Sequence, residues 1–132
     1  TSLGSGGKAF EDYLNEDRKL IAESQAINES VFNTLKNENF NFLLIPGDLT
    51  KDGEKVSHTE FAKLLTALEA TGKKVYVVPG NHDINNPFAY KYVGSERIKT
   101  PTINPKEFEE LYGNFGYKEA YSKSFKILIS YY

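Results

Sequence analysis

The sequence predicts an α/β domain organised around one β-α-β unit. Two short apolar runs, Phe40–Ile45 and Lys73–Val78, each stop at a Pro-Gly pair, Pro46-Gly47 and Pro79-Gly80. Runs of this length and make-up, ended by a residue that cannot donate to a ladder and one that turns freely, read as buried strands entering tight loops. Between them Phe61, Leu64, Leu65 and Leu68 recur at helical spacing. A strand, helix and strand of this span close as a right-handed crossover, so the strands lie parallel and both carboxyl ends emerge on one edge.

The elements follow in order. Thr1–Lys8 is small and Gly-rich, a loop; its Gly7-Lys8 pair is followed by Ala9, not Ser or Thr, and no strand precedes it, so it lacks the features of a phosphate-binding P-loop. From about Glu16 to Glu38, Leu20, Ile21, Ile27, Val31 and Leu35 sit at three- and four-residue spacing among charged positions, which predicts an amphipathic helix, the longest of the chain. The first strand then delivers Asp48 directly after Pro46-Gly47. Asp48–Glu54 is a polar loop in which Asp52 and Glu54 read as solvated acids. Ser57 with Glu60 has capping-box spacing for a helix that runs to about Ala70 and is closed by Gly72. His58 falls near that start, in a charged segment, and reads as an ordinary surface position.

The second strand leads into Gly80-Asn81-His82-Asp83. Ile84–Thr102 reads as a long excursion with little regular structure. Its Tyr90, Tyr92, Arg97 and Lys99 have the chemistry to contact a phosphorylated substrate, although mixed aromatic and basic residues are ordinary in an exposed segment. Asn104-Pro105 starts a helix whose apolar face is Phe108, Leu111 and Tyr112, ending before Gly113. Gly116–Ala120 is a turn or short helical remnant, and Ser124–Tyr132 a last strand.

Composition narrows the function. In 132 residues, 39% hydrophobic, there is enough chain for one domain and too little for two, so residues 1–132 are expected to be a single domain. Sixteen basic against 18 acidic residues give a net charge of −2, without the basic face that bulk nucleic acid requires. The absence of Cys excludes disulfides, thiolate metal sites and cysteine nucleophiles and leaves the compartment open. No apolar run approaches the ~18–20 residues of a membrane span. With no Met anywhere, the sequence is expected to be a piece of a longer chain.

Asp48 and the Asn81-His82-Asp83 triplet are therefore expected to meet in space. A carboxylate, an amide oxygen and an imidazole around one point suit divalent cations such as Mn, Fe, Zn or Mg. Asp48, with two oxygens, is able to bridge two ions ~3.5–4 Å apart, the spacing used in two-metal phosphoester hydrolysis. Asn81 adds an oxygen without charge. His82 either binds metal or stays outside the coordination sphere, where an imidazole is suited to protonate a leaving alkoxide or hold a phosphoryl oxygen. Asp83 is placed to accept the other ring N–H.

At these residues the chain resembles the calcineurin-like metallophosphoesterases. That superfamily carries an Asp-x-His motif, then Gly-Asp, then Gly-Asn-His-Asp or Gly-Asn-His-Glu, then a lone His and a Gly-His-x-His, each at a strand end. Gly47-Asp48 and Gly80-Asn81-His82-Asp83 match the second and third in order. The resemblance implies a two-sheet sandwich flanked by helices, two divalent ions, a phosphoester substrate, Asp48 as bridging ligand, Asn81 as ligand to the second metal, His82 as substrate-facing acid and Asp83 as its orienting partner. No Asp-x-His precedes the first helix, and His58 and His82 are the only histidines. The chain thus resembles the amino-terminal half of such a domain, and as given is expected to bind metal weakly or not at all and to turn over negligibly. Half of a sandwich would leave sheet surface open to self-association. The alternatives are a non-catalytic module that keeps the fold and binds a partner or anion with the same loops, and an unrelated Mg-dependent phosphotransfer domain, which would need a Lys and a Ser or Thr on neighbouring strand ends.

Overall fold

The computed structural model describes residues 1–122. They form α1 (Lys8–Glu16), α2 (Ser24–Asn37), β1 (Phe42–Ile45), α3 (Lys55–Glu69), β2 (Lys74–Val77), β3 (Tyr90–Val93), β4 (Glu96–Lys99), α4 (Pro105–Tyr112) and α5 (Lys118–Ser122). The strand expected over Ser124–Tyr132 lies outside the described residues.

The crossover is present. β1 and β2 pair in parallel, with Leu43 opposite Val75 and Ile45 opposite Val77, and α3 connects them. These four side chains share one face because strand side chains alternate. Val75 and Val77 are buried against Leu65 and Leu68 of α3 and against Tyr112 and Phe115, with Phe32 of α2 completing the core. The opposite face is less covered: among the described residues Phe42 and Leu44 are exposed, so β1 is half-buried, through Leu43 and Ile45, on one side only.

Several local expectations change. The helix predicted from Glu16 begins at Ser24: residues 17–20 are irregular, with Asp17 Oδ1 accepting from the Lys19 N–H (2.9 Å), and residues 21–23 form a turn. An additional helix, α1, precedes it, and α3, at 15 residues, is longer than α2 at 14. Ser57 and Glu60 do not cap α3, which starts at Lys55 after Glu54, whose side chain makes no capping bond to the helix. The capping box belongs to α4 instead: Asn104 Oδ1 accepts from Glu107 N and Glu107 Oε2 accepts from Asn104 N, both at 2.9 Å, with Pro105 at the first helical position. α4 and α5 are joined through Gly113–Tyr117, which is kinked at Phe115 and Gly116.

The excursion from Ile84 to Thr102 contains an antiparallel hairpin, β3–β4, with Val93 opposite Glu96 across Gly94-Ser95. Gly94 has φ +59°, as a two-residue hairpin loop with Gly at its first position demands. α1 packs on β3. Tyr13 stacks on Tyr92 (centroids 4.5 Å apart, planes at 18°), Phe10 lies 5.9 Å from Tyr92, and Ala9 N donates to Gly94 O at 3.1 Å. No described helix is long and apolar enough to cross a membrane.

Candidate active site

The two Pro-Gly corners touch backbone to backbone. Gly47 adopts φ +99°, and a Cβ there would lie 2.6 Å from Gly80 Cα. A Cβ on Gly80 would in turn collide with the backbone N and the carboxylate of Asp48. Glycine at both corners is what permits this approach. Asp48 follows with φ +51°, a left-handed conformation that Asp tolerates better than most residues, and its Oδ1 accepts from His82 N at 3.3 Å. Asp48 and Asn81 are exposed, and His82 keeps 38% of its side chain accessible. The structure therefore brings Asp48, Asn81 and His82 to one edge of the β1–β2 sheet.

Asp83 takes a different place from the one expected. It is fully buried, and its carboxylate accepts from Leu49 N (3.1 Å), Thr50 N (3.0 Å), Thr50 Oγ1 (3.0 Å) and Gly80 N (2.8 Å). It ties the second loop to the first and has no bond to the His82 ring. The acid beside that ring is Asp52, whose Oδ1 lies 3.4 Å from His82 Nδ1. Asp52 and Glu54 are thus not solvated. Gly53 turns the loop (φ +74°) so tightly onto the His82 and Asp83 carbonyls that a Cβ on it would lie 3.0 Å from both oxygens, and the flanking acids are carried inward. Glu54 is 1% exposed, accepts from Asp52 N at 3.2 Å, and burial pushes its carboxyl above the usual range.

Residues 22–131 match the family model described as calcineurin-like phosphoesterase. The chain belongs to that family. A search of curated proteins returned no match. The matched span contains both corners and the crossover between them. At the level of the family, the chemistry is metal-dependent hydrolysis of phosphoesters. The donors present fit divalent metal in kind, a carboxylate oxygen and an amide oxygen at an open edge. They are few: among the described residues no group of three or more His, Cys, Asp or Glu side chains is arranged to hold an ion.

Beside this sheet edge lies a cleft of about 540 Å³ lined by residues of α2 and α3, including Ser57 and Phe61, and by Asp48, Lys51 and His82. Of the four residues with the chemistry to meet a phosphorylated substrate, Tyr90 carries both basic side chains on its ring and Tyr92 is taken up by α1. The Arg97 guanidinium lies 3.7 Å from the Tyr90 ring centroid, Lys99 Nζ 5.7 Å from it, and Tyr92 is stacked on Tyr13.

His58, read from the sequence as a surface position, is fully buried. Its Nε2 lies 2.9 Å from the Asp83 carbonyl oxygen and its Nδ1 2.9 Å from Tyr112 Oη. A carbonyl only accepts, so Nε2 carries the proton and Nδ1 accepts from the tyrosine. The imidazole thereby pins the Asn81-His82-Asp83 loop to α3 and α4. Burial lowers its pKa below the ordinary 6.5, against the smaller opposing pull of Asp83. The unfolded chain then binds this proton more readily than the folded one. The contribution is complete above pH 6.5 and lost as pH falls from there towards the lowered value. Thermal melts at a series of pH values are expected to show stability falling below pH 6.5, and His58→Gln to flatten that slope while lowering stability throughout; an unchanged slope would assign the acid sensitivity elsewhere.

Proposed function

We propose that this chain carries part of a dinuclear metallophosphoesterase centre and that residues 1–132 act as one domain. Asp48 is the bridging ligand, Asn81 an oxygen ligand to the second ion, and His82 the residue that meets the substrate. The contact of Gly47 with Gly80 carries this reading, because it holds the ligand-bearing corners of two parallel strands together. A divalent pair, when bound, supplies an activated water for attack on phosphorus and neutralises charge on the phosphoryl oxygens. The chain's own contribution is orientation and a proton. With Nδ1–H turned to Asp52, the doubly protonated ring of His82 presents Nε2–H to the substrate, where it donates to a phosphoryl oxygen or protonates the departing alkoxide, the Asp52 carboxylate stabilising the cation meanwhile. Asp83 shapes the loop that presents it.

Two dependable oxygen ligands are too few for two ions of four to six ligands each. In this chain alone, calorimetry with Mn²⁺ is expected to give weak binding or none, and p-nitrophenyl phosphate to be turned over negligibly. Micromolar binding with multiple turnovers would defeat the half-site assignment. The site itself is tested at millimolar Mn²⁺ by paramagnetic broadening in NMR spectra. Broadening centred on Asp48, Asn81 and His82 and abolished by Asp48→Asn is expected; broadening centred elsewhere would remove the assignment.

A further inference from the structure

We propose that Lys51 is a positioning residue for the His82–Asp52 pair and that helix α1 holds it there. The Asp52 carboxylate divides its oxygens. Oδ1 faces His82 Nδ1 at 3.4 Å, and Oδ2 accepts from Lys51 Nζ at 2.7 Å. Anchoring one oxygen fixes the rotation of the carboxylate about its last bond, and that rotation decides whether the other oxygen meets the imidazole. Lys51 and Asp52 are themselves little exposed, at 19% and 14% of their side chains, so solvent screens this pair less than a surface one.

What fixes Lys51 comes from outside the matched family span. Asp17 Oδ2 lies 3.6 Å from Lys51 Nζ, and the ammonium sits 4.8 Å from the centroid of the Tyr13 ring. Both residues precede residue 22, where the match begins. The Tyr13 hydroxyl is buried without a hydrogen-bond partner of regular geometry among the described residues, and burial raises its pKa to about 12 against the pull of Lys51. It stays neutral. Burial alone would lower the Lys51 pKa, but Asp52 and Tyr13 outweigh it and raise it, so the ammonium stays charged. α1 is in turn locked to the hairpin by the stack of Tyr13 on Tyr92. A line of contacts therefore runs from hairpin to helix, helix to Lys51, Lys51 to Asp52 and Asp52 to the imidazole.

The catalytic meaning of this line rests on the phosphoesterase reading; the orientation of the ring does not, and is measured without metal or substrate. The chain holds two histidines, so ¹⁵N-labelled imidazole spectra of the whole chain at pH 8 contain two ring systems, and His58 serves as the control for folding. In the parent chain His82 is expected as the Nδ1–H tautomer, donating to Asp52, and His58 as the Nε2–H tautomer. Lys51→Met keeps the length of the stem and removes the charge. It is expected to turn the Nδ1–H form of His82 from the dominant species into a minority while His58 is unchanged, and Lys51→Arg to restore it. An unaltered His82 pattern in folded Lys51→Met overturns the proposal, as does a parent chain whose His82 is already Nε2–H. If Lys51→Met loses the His58 pattern, Asp17→Asn decides: a weakened Nδ1–H signal at His82 with His58 intact supports the clamp, and no change overturns it. Mn²⁺ broadening centred away from Asp48, Asn81 and His82 would remove the metal-site assignment and leave the tautomer result standing.

Discussion

Asp83→Ala is expected to destabilise the protein by about 3–5 kcal/mol, because it leaves several buried hydrogen-bond donors without the charged acceptor they share. The carboxylate is completely buried and satisfies three backbone N–H groups and the Thr50 hydroxyl. Removing it leaves those donors in an interior where each unsatisfied polar group costs roughly 1–3 kcal/mol, reduced where water enters the space vacated. Asp83→Asn separates charge from shape. It keeps one acceptor oxygen but aims an NH₂ at donors, so it is expected to recover only part of the loss. Urea melts check both, with the midpoint lowered and the slope unchanged. A loss below about 1 kcal/mol for the alanine variant would mean that the loops are held by something other than this carboxylate.

The same carboxylate shows where the sequence was legible and where it was not. Parallel pairing of β1 with β2, and the meeting of Asp48 with Asn81 and His82, followed from two apolar runs ending in Pro-Gly around a helical period. That logic is local at each end and needs only the right hand of a crossover to join them. Which acid faces His82 was not local. Asp83 is adjacent in sequence, but its side chain points into the protein, while Asp52 arrives because Gly53 folds the preceding loop back over the second one.

His58 was legible but passed over. It falls at helical spacing with Ala62, Leu65 and Leu68, all buried on one stripe of α3, and a histidine on such a stripe is a core residue in want of partners. The hairpin also had its signal, Gly94-Ser95 between Tyr90-Lys91-Tyr92-Val93 and Glu96-Arg97-Ile98-Lys99, hidden because neither strand exceeds four residues. α1 had the weakest signal. Its nine residues bury one side chain, Phe10, and it is held by aromatic contacts to β3 that no local pattern announces.

Gly47→Ala is expected to be the second large effect, roughly 2–5 kcal/mol, because two costs add at one position. The first is conformational, since a φ of +99° is strained for any residue with a Cβ. The second is steric. The new carbon would lie 2.5 Å from Gly80 N and 2.6 Å from its Cα, atoms of backbone that have no rotamer to yield. Gly72 supplies the comparison that separates them: it has a similar φ of +89°, yet nothing lies within 4 Å of its would-be Cβ. Gly72→Ala is therefore expected to carry the conformational cost alone, about 1 kcal/mol, and the difference between the two variants measures the contact of the corners. Relief of the clash has one direction, separation of the two loops, which lengthens the bond from His82 N to Asp48 Oδ1. Hydrogen exchange at the His82 amide is then expected to speed up more in Gly47→Ala than in Gly72→Ala, beyond what their difference in global stability accounts for. Equal acceleration in the two would show that the corners tolerate separation without releasing the site.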